Sequence, residues 1–264
     1  MNLEKICQQV IEVAQEAGDF IQQESAKFNR SAIEYKDVNN VVSYVDKETE
    51  KLIVEGLRQI LPEAGFITEE GTAETSDYEG LNWIIDPLDG TANFIHGLPN
   101  YSTSLALAEG KKVLIGVILN ISTQEMFYTW RGGGAWSNGN RISVSPVKHL
   151  GESLLATGFP YYKFENQDKY LKILESLMQK THGLRRMGSA AIDLAYVAKG
   201  HFDGFYEYNL NSWDMAAGIL LVEEAGGICS DFAGGDNHLF GGDIVCGSPV
   251  HTELLDEIKK VWFS

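Results

Sequence analysis

The chain has 264 residues, 44% of them hydrophobic, enough for a large core in one domain or two tightly joined halves. Its 37 acidic and 21 basic residues give a formal charge of −16, which argues against nucleic acid or an anionic membrane as partner but leaves room for a small anion at a locally positive site. No apolar run approaches the ~18 residues of a membrane helix, and residues 1–20 are amphipathic and mixed in charge rather than signal-like, so a cytoplasmic location is expected.

Apolar residues recurring at three and four, with Asn2 as cap, predict a long helix from Leu3 to about residue 27. A second helix is predicted over Tyr44 to Ile60, stopped by Pro62. The segments "GFITEE" and "NWIID" read as strands that end in carboxylates, and the runs from Tyr101 to Val144, broken by Gly-rich and Asn-Gly signals, predict an antiparallel meander. After about Pro146 strand and helix alternate: "SLLATG", a helix from Gln167 to Gln179, "GLRRMG", a helix ended by Gly200, "FDGFYEY", a helix from Ser212 to Ala225, "DIVCGS" and a last helix. This predicts two α/β layers in one compact unit, with an N-terminal α+β half over about 1–145 and a C-terminal α/β half over about 146–264. Cys7, Cys229 and Cys246 are widely spaced among apolar neighbours, which predicts buried free thiols rather than disulfides or a metal cluster.

Carboxylates collect at element ends: Glu69 and Glu70 after "GFIT", Asp86 and Asp89 after "NWII", and Asp214 in a first helical turn. Each alone has an ordinary explanation, a turn for the strand-end acids and a cap for Asp214. Together they are costly, because two carboxylates ~5 Å apart repel by ~3 kcal/mol at an effective dielectric of ~20. No arginine or lysine lies between Arg58 and Lys111, so a divalent cation is the economical counter-charge. Oxygen ligands without nearby His or Cys favour Mg²⁺ or Mn²⁺ over Zn²⁺. Gly90-Thr91 then opens a short helix whose first N–H groups can cradle an anion. Metal-holding acids beside an anion cradle point to hydrolysis of a phosphate ester. A haloacid-dehalogenase-like string would set its two aspartates two apart, whereas Asp86 and Asp89 are three apart around Pro87, a spacing read as a turn that wraps metal. Two rivals remain at this point, a metal-free glycosidase built on paired carboxylates and an acidic scaffold holding a structural ion.

The strings "TEE" at 68–70, "WIIDPLDGTANFIHGLP" at 83–99 and "NSWDMAAGILLVEEAGG" at 211–227 resemble the inositol monophosphatase family over nearly the whole chain. That resemblance implies a layered αβαβα sandwich, usually a homodimer, with Mg²⁺-dependent, lithium-inhibited hydrolysis of phosphomonoesters using two or three metal ions. It implies Glu69, Asp86, the Leu88 carbonyl, Asp89 and Asp214 as metal ligands, and Gly90 and Thr91 as phosphate binders. It also implies Thr91 with Asp46 as the pair that orients water, and Ser189, Ala190, Glu207 and Asp214 around the substrate alcohol. Inositol 1-phosphate or a similar polyol or sugar phosphate is the expected substrate, with histidinol phosphate, fructose 1,6-bisphosphate or a nucleotide 3′-phosphate as alternatives on the same scaffold. Ala92 stands where many relatives have a second Thr, and "TANF" departs from the Lys-Glu-Phe of relatives acting on adenosine bisphosphate. Asp193 is expected to face solvent as an acidic helix residue, and His96 is too soft a ligand for this site.

Overall fold

The computed structural model describes residues 1–27, 33–37, 40–74, 76, 79–160 and 163–264. Asn2 caps α1 (Leu3–Ser25) by accepting a hydrogen bond from the Lys5 N–H. A short hairpin of β1 (Ile33–Asp37) and β2 (Asn40–Ser43), not anticipated from the sequence, leads into α2 (Tyr44–Ile60), whose bounds match those expected. Next come β3 (Gly65–Thr68), β4 (Leu81–Asp89), α3 (Thr91–His96) and the meander β5 (Ser102–Glu109), β6 (Lys112–Asn120), β7 (Glu125–Trp130), β8 (Ala135–Ser137) and β9 (Asn140–Ile142). The remainder is β10 (Leu154–Thr157), α4 (Gln167–Lys180), β11 (Gly183–Arg185), α5 (Ala190–Ala198), β12 (Gly204–Tyr208), α6 (Ser212–Glu224), β13 (Ile228–Ser230), α7 (His238–Gly241), β14 (Asp243–Gly247) and α8 (His251–Trp262).

A seven-stranded sheet runs β3-β4-β5-β6-β7-β8-β9, parallel only between β3 and β4, and a five-stranded sheet runs β11-β10-β12-β14-β13. Strand alternation sorts the core. Trp83 and Ile85 of β4, with Leu105, Leu107, Ile115 and Val117, pack on the apolar faces of α1 and α2, whereas Ile84, Ala106 and Ile118 face α5 and α6. Those two helices lie between the sheets, and the far face of the second sheet, through Leu155, Tyr206 and Val245, packs on α4 and α8. The order is helix, sheet, helix, sheet, helix, the expected αβαβα sandwich.

The cysteine expectation is overturned. Cys229 and Cys246 stand directly opposite each other on antiparallel β13 and β14 and are joined as a disulfide, with Cα atoms 4.2 Å apart; only Cys7 is a free thiol. Seventeen residues of sequence separation gave no sign that the two strands are neighbours. Cys7 is fully buried, and burial pushes its thiol up to about 12.

Candidate active site

The stretch that carries Asp86 and Asp89 is one strand with a bulge, not the strand and turn expected from its proline. Asp86 pairs with Ser104 and Asp89 with Ser102, so three steps along β4 match two along β5. The extra residue undoes the alternation that would put i and i+3 on opposite faces. The Thr103 hydroxyl fastens the bulge by donating to the Pro87 carbonyl at 2.9 Å, and the Leu88 N–H donates to Asp86 Oδ1 at 3.0 Å. Pro87 can sit mid-sheet because a bulge needs no ladder bond from it.

Each serine opposite an aspartate ties β5 to a helix of the central layer. The Ser104 hydroxyl donates to the Trp213 carbonyl at 3.4 Å, which brings Asp214, in the first turn of α6, against the end of β4. Ser102 Oγ lies 3.1 Å from Ser189 Oγ, and Ser189 donates to Asp89 Oδ2 at 2.6 Å. The Ala191 N–H, in the first turn of α5, also donates to Asp89 Oδ2, at 2.8 Å, so Asp89 sits at the positive end of that helix. Glu69 arrives from β3, held by a bond from its N–H to the Ile85 carbonyl at 3.2 Å.

On the other side, α3 opens at Gly90, whose φ of +92° is left-handed; a Cβ there would lie 3.0 Å from the Asn100 carbonyl oxygen and 3.1 Å from that of Gly188. The first bond of this helix runs from Phe94 N to the Gly90 carbonyl, so the preceding N–H groups have no partner within it. Thr91 Oγ1 lies 2.9 Å from Asp46 Oδ1 and 3.0 Å from the Leu88 carbonyl, and it can donate to either. Asp46, in the first turn of α2, is buried.

The electrostatics are those of acids crowded out of water. Burial first, then the charges of Glu69, Asp89 and Asp214, hold Asp86 well above the usual carboxylate range, and Glu69 shares a hydrogen bond with it. Burial lifts Asp89 to about 6 against the Ser189, Ala191 and Ala190 donors and Arg186. Asp214 is pushed up to about 8 by burial and by Asp89, although it accepts from the Asn211 N–H at 2.6 Å as a helix cap. Burial also lifts Glu207, on β12, to about 8, with Arg186 opposing.

Kinship decides which chemistry this frame serves. The inositol monophosphatase family matches residues 2–263. The chain belongs to that family. A protein of Rhizobium meliloti (strain 1021) named inositol-1-monophosphatase is 39% identical over 249 residues, covering 94% of each chain. A Pseudomonas aeruginosa protein named Nus factor SuhB is 43% identical over 247 residues, covering 90% of this chain and 89% of its own. Among solved structures, the extragenic suppressor protein suhB of Bartonella henselae superposes with a TM-score of 0.89 at 37% identity, covering 96% of this chain and 98% of that one. The inositol monophosphatase of Thermotoga maritima superposes with a TM-score of 0.85 at 34% identity, covering 96% of each chain. With the family comes its reaction class, and the chain is a phosphoric monoester hydrolase.

In this inositol monophosphatase family member three residues near the site escaped the sequence. Asp193 does not face solvent: it is 2% exposed, and burial together with Glu207 and Asp89 holds it well above the usual carboxylate range. It sits on the inner face of a helix packed between two sheets, and one acid in an otherwise apolar string gave no warning. Arg186 acts on Asp89, Glu207 and Asp193 and lies over the Phe159 ring at 5.3 Å, so it is the cation that the local sequence around Asp86 lacks. Glu50 is fully buried and accepts from the Glu70 N–H and the Thr72 N–H, both at 2.7 Å. Its only signal was a position one helical turn beyond Asp46. His96 is exposed at the end of α3.

Proposed function

We propose that the protein is a Mg²⁺-dependent, lithium-sensitive phosphatase of inositol 1-phosphate or a closely similar small polyol phosphate, cytoplasmic and acting as a homodimer. The observation that carries the reading is the meeting of Asp86, Asp89, Asp214 and Glu69 beside the Thr91–Asp46 pair. The family is generally metal-dependent, and the donor set fits a hard cation: the buried Asp86, the half-buried Glu69, Asp89 and Asp214, and a carbonyl, with neither imidazole nor thiolate among them. Among the described residues no group of three His, Cys, Asp or Glu side chains is already arranged to hold an ion. Asp214 is turned to its cap and Asp89 to Ser189, so these carboxylates would exchange present hydrogen bonds for the cation.

Glu69, Asp86, the Leu88 carbonyl, Asp89 and Asp214 would hold two or three Mg²⁺, or Mn²⁺ in its place. When bound, such cations neutralise phosphoryl oxygens and make water easier to deprotonate. The chain's own residues supply the rest. The N–H groups of Gly90 and Thr91 receive phosphate oxygens. The Thr91 hydroxyl, donating to Asp46, keeps its lone pairs for a water O–H, and the pair thereby aims that water at phosphorus without a phospho-enzyme. Glu207, with Ser189 and Ala190, faces the alcohol and accepts hydrogen bonds from its hydroxyls.

The test is a panel of inositol 1-phosphate, histidinol phosphate, fructose 1,6-bisphosphate and a nucleotide 3′-phosphate, run with Mg²⁺ and with chelator. Inositol 1-phosphate should be turned over at least as fast as the others and only with metal, and Asp89→Asn should lower kcat by more than about 100-fold with the circular dichroism spectrum unchanged. A marked preference for histidinol phosphate or fructose bisphosphate would sink the substrate assignment. Full activity in chelator would sink the metal.

A further inference from the structure

The loop after β3 is fixed at both peptides that flank Glu69. The peptide before it is held by the bond from Glu69 N to the Ile85 carbonyl at 3.2 Å. The peptide after it is held by Glu50, whose Oε2 accepts from the Glu70 N–H at 2.7 Å. Glu50 Oε1 takes the next attachment as well, accepting from the Thr72 N–H at 2.7 Å and the Thr72 hydroxyl at 2.8 Å. One carboxylate with no exposed surface thus gathers three donors from a three-residue stretch, and charge-assisted bonds of this kind are about twice as strong as neutral ones.

Where Glu50 stands matters as much as what it binds. It follows Asp46 by four residues on α2, so the two acids lie one above the other on the same helix face. Asp46 meets Thr91, beyond the bulge of β4, while Glu50 meets the loop beyond β3. A single rigid helix therefore registers the loop that presents Glu69 against the pair that aims water.

We infer that Glu50 is a positioning residue for the cation end of the site: by pinning the Glu69–Thr72 backbone it fixes where the Glu69 carboxylate is presented and so sets the affinity for the divalent ion. The inference rests on the metal-dependent phosphatase reading above and adds a residue that touches neither metal nor substrate. Outer partners of metal ligands shift metal affinity by about 10- to 100-fold when removed. A residue that only fastened a loop would change thermal stability and leave cation affinity alone.

The experiment titrates Mn²⁺ into wild-type, Glu50→Gln and Thr72→Val proteins without substrate, following free Mn²⁺ by electron paramagnetic resonance. Mg²⁺ half-saturation of phosphate release and Tm are read on the same samples. Glu50→Gln keeps the size but offers one acceptor oxygen in place of two. It should weaken Mn²⁺ binding by about tenfold or more and raise the Mg²⁺ half-saturation in parallel, with a smaller loss of kcat at saturating Mg²⁺. Thr72→Val removes one of the three bonds and should shift both quantities the same way by about two- to threefold. A lowered Tm with Mn²⁺ affinity unchanged in both variants overturns the inference, and if Glu50→Gln does not fold, an unshifted Thr72→Val overturns it alone. A wild-type protein that neither binds Mn²⁺ nor releases phosphate refutes the phosphatase reading itself, whereas an active wild type matched by both variants refutes only the role of Glu50.

Discussion

Gly158, at the end of β10, has no side chain because the Glu207 carboxylate occupies the place where one would go: a Cβ there would overlap both Glu207 oxygens and its Cδ. The obstacle is the free end of a side chain rather than backbone, so Gly158→Ala should cost little stability but must move that carboxylate. If Glu207 reads the alcohol, the variant should lower kcat/KM for inositol 1-phosphate by about tenfold or more. It should lower it much less for p-nitrophenyl phosphate, whose leaving group has no hydroxyl to offer. Equal losses on both would separate Glu207 from specificity. Residue by residue, the acids at strand ends were legible because an apolar strand cannot carry charges into a sheet without a reason. Glu50, Asp193 and Arg186 were not. Their partners lie on other elements of the fold, and nothing local distinguishes a buried acid on a helix from a solvated one.

At the scale of elements, periodicity recovered α1, α2, α4, α5 and α6 to within one or two residues, since each has an apolar face or is apolar throughout between clear stop signals. It missed what depends on neighbours: the bulge in β4, and the edge strand β13, whose three residues carry half of a disulfide. The contact of β6 with α6 is of the same kind. A Cβ at Gly116, in mid-strand, would lie 2.7 Å from the Ala217 carbonyl oxygen and 2.9 Å from its Cα, and helix backbone cannot turn aside. Gly116→Ala should therefore push α6 off the sheet and cost ~1–3 kcal/mol, measurable by urea unfolding. Because Asp214 lies one turn before Ala217 on that helix, Mg²⁺ half-saturation should rise as well. A variant as stable and as easily saturated as wild type would mean that the helix slides without consequence.

The molecule as a whole carries −16 and still gathers several buried and half-buried acids at one site, and the cost of doing so depends on pH. Glu207 and Asp214 are each lifted to about 8 in the folded protein, from 4.5 and 3.8. A raised acid binds its proton more tightly when folded, so the folded state keeps protons that the unfolded chain releases, and stability falls as pH rises toward 8. Asp89, lifted to about 6, has spent most of its share by neutral pH. His251 and His201 are lowered by burial and oppose the trend, but only near their ordinary 6.5. Asp86 and Asp193, also held well above the usual carboxylate range by burial, act in the same direction, and between pH 7 and pH 8.5 Glu207 and Asp214 titrate. Each should remove about 1 kcal/mol, so the Tm of chelator-treated protein should fall by roughly 4–8 °C in a chain of this size. Saturating Mg²⁺ should flatten that slope, because a cation takes the place of the protons that the carboxylates otherwise retain. Differential scanning calorimetry at three pH values, with and without Mg²⁺, decides the matter: a metal-free Tm that rises with pH would mean that these acids are already ionised, with Arg186 rather than protons or metal balancing them.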